Sequence, residues 1–452
     1  MVEQSDETPA VRRSRETVAT KLLCIAEKAR NEKQFKFTSL YHLMNEELLG
    51  GCFLRLRKDA AAGIDKMTKE KYAENLNANM TCLTDRLHRM AYKPQPVRRK
   101  YIPKPGSTKQ RPLGIPSFED KLVQSGLVRI LESIYEQDFI ADSYGFRPDR
   151  SCHDALKALS MTVEKKPVNH IVEADIKGFF DNVNQEWLMK FLGHRIADKR
   201  IHRMVKRFLR AGIYEDGNVT VSDEGTPQGG VISPLLANIY LHYALDLWFE
   251  KVFRRKCAGY ARLIRYADDF VVCFQYKADA ELFHKELGSR LGKFGLEVEP
   301  TKTKVMEFGR FAVKNALRKG ERAETFDFLG LTHYCGTSRN GKGFRMKRVT
   351  ARKKFVAKLK LFKEWLKKSR QMNNKVLWET AKAKLQGHFN YYGVTDNIRG
   401  LDRFKREAIR LLFKWLNRRG KRSCLNWTKF KEVLERYPMP KPRISVSMFA
   451  YS

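Results

Sequence analysis

Two strand-like runs separated by three residues constrain the fold of this chain more than any other feature. Residues 261–266 (ARLIRY) and 270–274 (FVVCF) are apolar and rich in strand-forming residues, and Ala267, Asp268 and Asp269 lie between them. Runs this close together can pair only as an antiparallel hairpin with the two acids at its turn. Aspartate is also common in ordinary turns, so this feature alone leaves open whether the acids are ligands.

A third acid has a similar position. Asp175 follows the strand-like start of the run 170–176 (HIVEADI). An acid at the end of a buried strand faces the crevice at the sheet edge, although it could instead cap the next helix. If the two sites converge, three carboxylates would carry enough charge for two Mg²⁺ ions, which prefer oxygen ligands and bind substrate phosphates. Such a site would suit phosphoryl transfer.

The rest of the chain alternates between helical and strand-like patterns. Helical patterns at 118–139 and 184–210 flank the run 170–176, and residues 35–95 look mostly helical. The basic stretch 97–116 is punctuated by Pro and Gly and looks like a hairpin. Because strands and helices interleave without a regular βαβ period, the pattern predicts an α+β fold with an antiparallel sheet.

Positive charge is concentrated in the last quarter of the chain. The formal net charge is +37, and the segment from Lys342 to Arg443 contains 31 Lys or Arg and 7 Asp or Glu, a net +24. Apolar residues recur there at helical spacing, and Asn426 is a candidate N-cap for the last helix. One basic amphipathic helix can be the solvated side of an ordinary core, but several in tandem favour a nucleic-acid surface. The Gly- and Arg-rich segment 337–348 looks like a linker, which places a domain boundary near 338–345.

Composition excludes several classes of protein. The eight cysteines are scattered without C-x-x-C spacing, which argues against a disulfide scaffold and structural zinc and fits a reducing cytosol. The N-terminus lacks the apolar run of a signal peptide. The most apolar window, 231–249, contains Asn238, His242 and Asp246, so no membrane span is predicted. We therefore expect a soluble intracellular protein.

Several segments of the chain resemble known motifs. Those that occur in the order of the palm motifs of reverse transcriptases are Asp175 with Phe180, GTPQGG (225–230), YADD (266–269), GLEVEPTKTKV (295–305) and FDFLGL (326–331). Those that resemble bacterial group II intron-encoded reverse transcriptases are YIPKPGSTKQRPLGIPSFEDKLVQ (101–124), SYGFRPDRSCHDAL (143–156), GTPQGGVISPLLANIYLHYALD (225–246), GHFNYYGV (387–394) and WTKFKEVLERYPMPKPRI (427–444). The resemblance as a whole covers roughly residues 37 to 444.

The resemblance implies a right-hand polymerase. Its fingers and palm combine an antiparallel sheet with helices, and an all-α basic thumb, also called domain X or the maturase domain, follows them. The implied divisions are an N-terminal polar extension at 1–36, fingers and palm at 37–340 with an N-terminal extension at 37–95, the thumb at 341–440, and a short tail at 441–452 without the endonuclease of longer members.

The resemblance also implies roles for individual residues. Asp175 and Asp268 would be the main metal ligands and Asp269 the third acid, around two Mg²⁺ ions. Lys302 matches a lysine proposed to donate a proton to the leaving pyrophosphate, although it could also be a surface lysine. Residues implied to bind the dNTP are Lys104, Arg111, Phe180 and Gln228, and those implied to form the primer-grip hairpin are Phe328, Leu329 and Gly330.

Two further assignments have alternatives. Phe180 is implied to occupy the space of a ribose 2′-OH, but it could be a core residue. Lys104 and Arg111 suit a triphosphate because charge-assisted contacts to phosphate are strong, but either could contact the nucleic-acid backbone instead.

The function implied by the resemblance is RNA-directed DNA polymerisation. The enzyme would copy its group II intron RNA into DNA and bind that RNA to assist splicing and mobility, as a ribonucleoprotein of the bacterial cytoplasm. Its partners would be the intron RNA, an RNA template with a DNA primer, dNTPs and target DNA, with no membrane. The alternatives are a relative recruited for host DNA repair or defence, and a splicing cofactor without polymerase activity.

Overall fold

Three β-sheets and a set of helices make up the described part of the molecule. The structure is a computed structural model, and it describes residues 17–103, 110–220, 225, 229–338, 340–341, 343–369, 371–418 and 425–449. The strands in these ranges are β1 (Val97–Pro103), β2 (Gln110–Ile115), β3 (His170–Ala174), β4 (Ile213–Glu215), β5 (Asn218–Thr220), β6 (Ala261–Tyr266), β7 (Asp269–Phe274), β8 (Lys304–Glu307), β9 (Thr325–Phe328), β10 (Leu331–Thr337) and β11 (Phe344–Thr350).

The α-helices in the same ranges lie before, between and after these strands. They are α1 (Val18–Asn31), α2 (Glu46–Arg55), α3 (Lys69–Ala73), α4 (Leu76–His88), α5 (Phe118–Tyr135), α6 (Cys152–Lys165), α7 (Gln185–Leu192), α8 (Lys199–Leu209), α9 (Ser233–Leu241), α10 (Lys277–Gly292), α11 (Ala312–Arg318), α12 (Arg352–Lys368), α13 (Asn374–Tyr392), α14 (Ile398–Leu416) and α15 (Trp427–Arg436). None of the helices in the described ranges is both long and apolar enough to cross a membrane.

The central sheet has the strand order β6-β7-β3-β8, and each neighbouring pair is antiparallel. Successive residues of β7 enter different cores: Phe270 and Val272 pack into one, and Val271 and Cys273 into the other. This alternation follows from the two-residue period of a strand whose two faces are both covered. The predicted α+β fold with an antiparallel sheet is confirmed.

The two cores divide the helices between the faces of this sheet. The first core contains residues of α1 to α5 and of α7 to α10. The second contains residues of α6, of strands β9 to β11 and of helices α12 to α15. The basic C-terminal helices therefore share a core with the central sheet.

The basic stretch 97–116 forms the predicted hairpin. Strands β1 and β2 pair in register from Arg98 with Ile115 to Pro103 with Gln110. On its other edge β1 pairs in parallel with β4, which itself pairs with β5. This second sheet, in the order β2-β1-β4-β5, lies apart from the central one.

The segment 337–348 is not a linker, contrary to the expectation from its glycines and arginines. Strands β10 and β11 pair over their whole length, from Leu331 with Thr350 to Thr337 with Phe344. The glycines serve the hairpin turn, where Gly341 has a φ of +71° that few other residues adopt. A division at 340/341 therefore falls inside a hairpin, and β9 completes this third sheet.

One other helical expectation differs from the structure. The pattern at 184–210 is broken into α7 and α8, because Asp198 caps α8 by accepting from the backbone nitrogens of Arg200 and Ile201. The described part of segment 1–36, which the resemblance divides off as a polar extension, contains α1, and α1 buries Val18 and Leu22 in the first core.

The basic region beyond residue 350 is helical, as its periodicity predicts. Asn426 caps α15 by accepting from the backbone nitrogen of Lys429 (2.9 Å). The tail then returns to the junction of α13 and α14, where the backbone nitrogens of Ser445 and Val446 donate to the Gly393 carbonyl.

Candidate active site

Two of the predicted acids lie at the tip of the β6–β7 hairpin. Tyr266 pairs with Asp269, so Ala267 and Asp268 form the turn between the strands. Ala267 has a φ of +57°, a left-handed conformation that costs a non-glycine residue free energy and persists only where the surroundings hold it.

A buried polar network holds this turn. Arg265 and Asp246 are fully buried and form a bidentate ion pair with N–O distances of 2.8 and 2.6 Å. The Arg265 guanidinium also donates to the Ala267 carbonyl (2.9 Å) and to Oδ1 of Asn238 (3.0 Å). Asn238 in turn donates from Nδ2 to the Gly145 carbonyl (2.7 Å). Because hydrogen bonds to charged groups are strong and directional, the network fixes the backbone beside Asp268.

Asp175 lies next to this turn through the pairing of β3 with β7. The register pairs Ala174 with Phe270, so one further step along it brings Asp175 opposite Asp269. Residues that face each other across an antiparallel pair have their Cβ atoms about 4.5–5.5 Å apart. The structure therefore brings the three predicted acids to one edge of the central sheet.

The charges of these acids act on one another. Desolvation and the charge of Asp175 raise the pKa of Asp268 above its ordinary value, against the opposing charges of Arg111 and Arg265. Asp269 opens to solvent at the mouth of the hairpin, yet desolvation by the surrounding protein and the charges of Asp268 and Asp175 raise its pKa to about 6. The site therefore carries more negative charge than the protein neutralises, which favours a bound cation.

Lys302 is a member of this cluster. Its ammonium forms an ion pair with Oδ2 of Asp175, and the segment before it is fixed because the Glu299 backbone nitrogen donates to the Asp175 carbonyl (2.8 Å). Desolvation alone would lower the pKa of Lys302, but the hydrogen bond and charge of Asp175 outweigh it and raise this pKa.

Two further charged residues at the site were not found from the sequence. Glu173 on β3 has a pKa raised to about 7, first by desolvation and then by the charges of Asp327, Asp269 and Asp175, against Lys304. Lys354, in the first turn of α12, is a cation that lowers the pKa of Asp269. Neither residue stands out in its segment, because Lys354 is one of three consecutive cations and Glu173 one alternating residue of a strand.

The donor atoms of the cluster suit a hard divalent cation. Reverse transcriptases use divalent metal ions, and carboxylate oxygens are the ligands that Mg²⁺ prefers. Among the residues that the structure describes, no group of three or more His, Cys, Asp or Glu side chains is already arranged to hold a metal, and Asp175 is paired with Lys302. The observation that fits these residues to a metal is the placement of three carboxylates at one edge of the central sheet.

Phe180 lies beyond Asp175, on a short 3₁₀ turn that spans Phe179–Asp181. Its ring is half-buried, packs against the first core and meets the Phe179 ring edge to face at 5.3 Å. Gly225 packs closely here, since a Cβ on it would come within 3.1 Å of the Phe180 carbonyl oxygen. Phe180 is thus partly a core residue, in line with the alternative interpretation. Its role toward a nucleotide stays a prediction.

The predicted dNTP contacts differ in how far the structure describes them. Arg111 is exposed on β2, opposite Ile102, and its charge acts on Asp268. Lys104 and Gln228 lie outside the described residues.

The predicted primer grip is the tight turn between β9 and β10. Leu329 and Gly330 form this turn, with φ of +51° and +77°, after Phe328 at the end of β9. The Tyr391 hydroxyl, on α13, donates to the Leu329 carbonyl (3.0 Å). The Ala351 backbone nitrogen, before α12, donates to the Gly330 carbonyl (3.0 Å). The basic helices therefore hold this turn directly.

Comparison with known proteins gives a consistent result. The family model described as reverse transcriptase (RNA-dependent DNA polymerase) matches residues 102–333, just over half of the chain. The chain is 51% identical over 151 residues to the group II intron-encoded protein LtrA of Lactococcus lactis subsp. cremoris, which covers 33% of this chain and 25% of LtrA. It is 34% identical over 273 residues to protein YkfC of Escherichia coli K12, which covers 54% of this chain and 71% of YkfC.

A eukaryotic relative matches a shorter stretch. The chain is 43% identical over 157 residues to the uncharacterized 91 kDa protein in the cob intron of Schizosaccharomyces pombe, which covers 35% of this chain and 19% of that protein. The matched stretch spans only about a quarter of LtrA and less of the yeast protein. The chain belongs to the reverse transcriptase (RNA-dependent DNA polymerase) family and, by these similarities, to the group II intron reverse transcriptases and maturases within it.

Proposed function

We propose that this chain is an RNA-directed DNA polymerase that copies group II intron RNA into DNA and binds that RNA to assist its splicing and mobility. The observation that carries the proposal is the convergence of Asp175 with the Asp268–Asp269 turn, through the register of β3 and β7. Three mutually repelling carboxylates at one sheet edge form a site for nucleotidyl transfer, and family membership supports this assignment.

Asp175, Asp268 and Asp269 would hold two Mg²⁺ ions. The chemistry supplied by ions at such a site is activation of the primer 3′-hydroxyl and neutralisation of charge on the transferred phosphate. The part of the protein is to present these carboxylates in fixed positions, through the ion pair of Arg265 with Asp246 and the hydrogen bond from Arg265 to Ala267.

Other residues would bind and select the nucleotide. Arg111 would contact the triphosphate together with Lys104 and Gln228, and the Phe180 ring would exclude a ribose 2′-OH. Lys302, whose ammonium lies beside Asp175, would donate a proton to the leaving pyrophosphate.

The excess charge of the C-terminal helices supports binding of nucleic acid. Their cations outnumber acids 31 to 7 between Lys342 and Arg443, which attracts the phosphate backbone regardless of its sequence. The intron RNA, the hybrid of RNA template and DNA primer, and the target DNA are the proposed partners of this surface.

Primer extension tests the proposal. The full chain is incubated with Mg²⁺, dNTPs and a DNA primer on an RNA template, beside Asp268→Asn and the control Asp216→Asn. Asp216 is an exposed acid in the β4–β5 turn, with a φ of +46° that asparagine tolerates. We expect extension by the wild type and the control. Asp268→Asn should lose more than the roughly 10–100-fold typical of residues around a metal ligand, with unchanged primer–template affinity.

Two outcomes would contradict the proposal. Extension by Asp268→Asn at the wild-type rate would exclude the carboxylate cluster as the site of chemistry. Tight binding of intron RNA without extension by any form of the protein would indicate a splicing cofactor instead.

A further inference from the structure

An aromatic side chain lies beside the turn formed by Ala267 and Asp268, here called the catalytic turn. It has an unusual combination of properties. Phe146 is 50% exposed and has a φ of +59°. For a bulky residue this left-handed conformation is a true outlier, and such strain is concentrated at sites that bind ligands. A glycine or asparagine at this position would adopt the same backbone at lower cost.

The residues on both sides of Phe146 are rigidly fixed. Gly145 packs so closely on the catalytic turn that a Cβ on it would clash with the backbone nitrogen of Ala267, and its carbonyl accepts from Asn238. On the other side the Arg147 guanidinium donates to the carbonyls of Ile140 and Ser143, both at 2.8 Å. Neither set of contacts uses the Phe146 side chain, so the ring is not required to hold the loop in place.

The same contacts fix the distance between the ring and the acids. Asn238 joins the Gly145 carbonyl to Arg265, and Arg265 holds the Ala267 carbonyl. Phe146 directly follows Gly145, which packs against Ala267, and Ala267 directly precedes Asp268. An exposed ring gains little stability in the free protein, so a ligand that covers it explains both its exposure and its strained backbone.

The chemistry of the ring indicates which ligand this is. A flat, uncharged surface next to carboxylates that carry out phosphoryl transfer fits the base and sugar of a nucleotide, since base–aromatic packing is favourable for every base. We propose that Phe146 packs against a nucleotide of the bound primer–template next to the primer 3′ end. This inference rests on the proposed polymerase function, and it assigns a nucleic-acid contact to the loop 145–150.

Binding without dNTPs tests this contact separately from catalysis. The probe is a hybrid of RNA template and DNA primer that carries 2-aminopurine at the primer 3′ end, titrated with the full chain. Phe146→Ala should weaken binding about tenfold and reduce the fluorescence change at the probe base. Phe146→Tyr should restore both, because the ring is retained. Phe311→Ala is the matched control, since Phe311 is 54% exposed before α11 and should bind as the wild type.

Each alternative result overturns the assignment. Unchanged hybrid affinity with a raised KM for dNTPs in Phe146→Ala would place the ring on the incoming nucleotide. A lowered melting temperature with unchanged affinity would make Phe146 a residue that supports the loop. Because these titrations need no extension, they report on Phe146 even if the chain proves inactive as a polymerase.

Discussion

The turn at Ala267 and Asp268 and the basic C-terminal helices hold their charges in opposite ways. At the turn, a few acids are held by a fully buried ion pair and by single hydrogen bonds with defined partners. On helices α12 to α15, apolar residues such as Phe362, Phe404 and Trp415 are buried and the cations lie on exposed faces. With 7 acids for 31 cations in this region, most of these charges have no acid to pair with.

This difference predicts how well each region tolerates amino-acid substitutions. Nucleotidyl transfer needs carboxylates at fixed positions, so each supporting contact of the turn is individually important. Attraction to a phosphate backbone depends on the number of cations and little on the position of any one of them. Single substitutions should therefore be severe at the turn and mild on the helices.

The largest effect is expected at the buried ion pair. Arg265→Met leaves Asp246 buried without its cation, which should lower the free energy of unfolding by about 3–5 kcal/mol. The double variant Arg265→Met, Asp246→Leu removes the uncompensated charge and should recover most of that stability. Thermal or urea unfolding of both variants measures this.

Primer extension by the double variant then separates folding from positioning. We expect extension to remain impaired, because the Ala267 carbonyl and Asn238 have lost the guanidinium that held them. A stable double variant with wild-type extension would mean that the turn needs no such support, and the contrast between the two regions would fail.

A smaller, collective effect is expected on the helices. The triple variant Lys353→Gln, Lys360→Gln, Lys363→Gln removes three exposed charges from α12. The slope of log affinity for RNA against log salt should become shallower by about 2, at roughly 0.7 per phosphate contact. The matched control replaces three exposed lysines of the palm, Lys285, Lys293 and Lys314. An equal decrease of this slope in both triple variants would show that RNA affinity depends on the total charge of the protein and not on the lysines of α12.

The smallest effect is expected where the two regions meet. Tyr391→Phe removes the hydrogen bond from α13 to the Leu329 carbonyl and should lower the free energy of unfolding by about 1 kcal/mol. We also expect shorter products per binding event, because the predicted primer-grip turn is less firmly held. Tyr334→Phe on the neighbouring strand β10 is the control. Unchanged product length would show that the hydrogen bond from α13 does not affect the function of this turn.

Local patterns predicted the parts of this fold that depend on local sequence. The strands around Asp268, the hairpin at 97–116 and the amphipathic helices after residue 350 were all predicted from hydrophobic periodicity and turn residues. The position of Asp175 at the end of a strand made it a candidate ligand, while the resemblance to reverse transcriptases supplied the roles of Lys302 and the primer grip, which periodicity cannot supply.

Long-range pairing accounts for what could not be predicted. The segment 337–348 has the composition of a linker, and only the pairing of β10 with β11 makes its two ends parts of strands. Lys302 meets Asp175 across 127 residues of sequence, and no pattern identifies the partner of Asp246. The strain at Phe146 depends on the packing of Gly145 against a turn more than a hundred residues away.

The second hydrophobic core has a mechanical consequence. Among the described residues it is continuous from one face of the central sheet through β9 to β11 into α12 to α15, so a swing of the basic helices away from the sheet would expose apolar side chains. We therefore expect these helices to keep their position on the sheet between nucleotide additions while the duplex moves past them, which would favour long products over frequent dissociation.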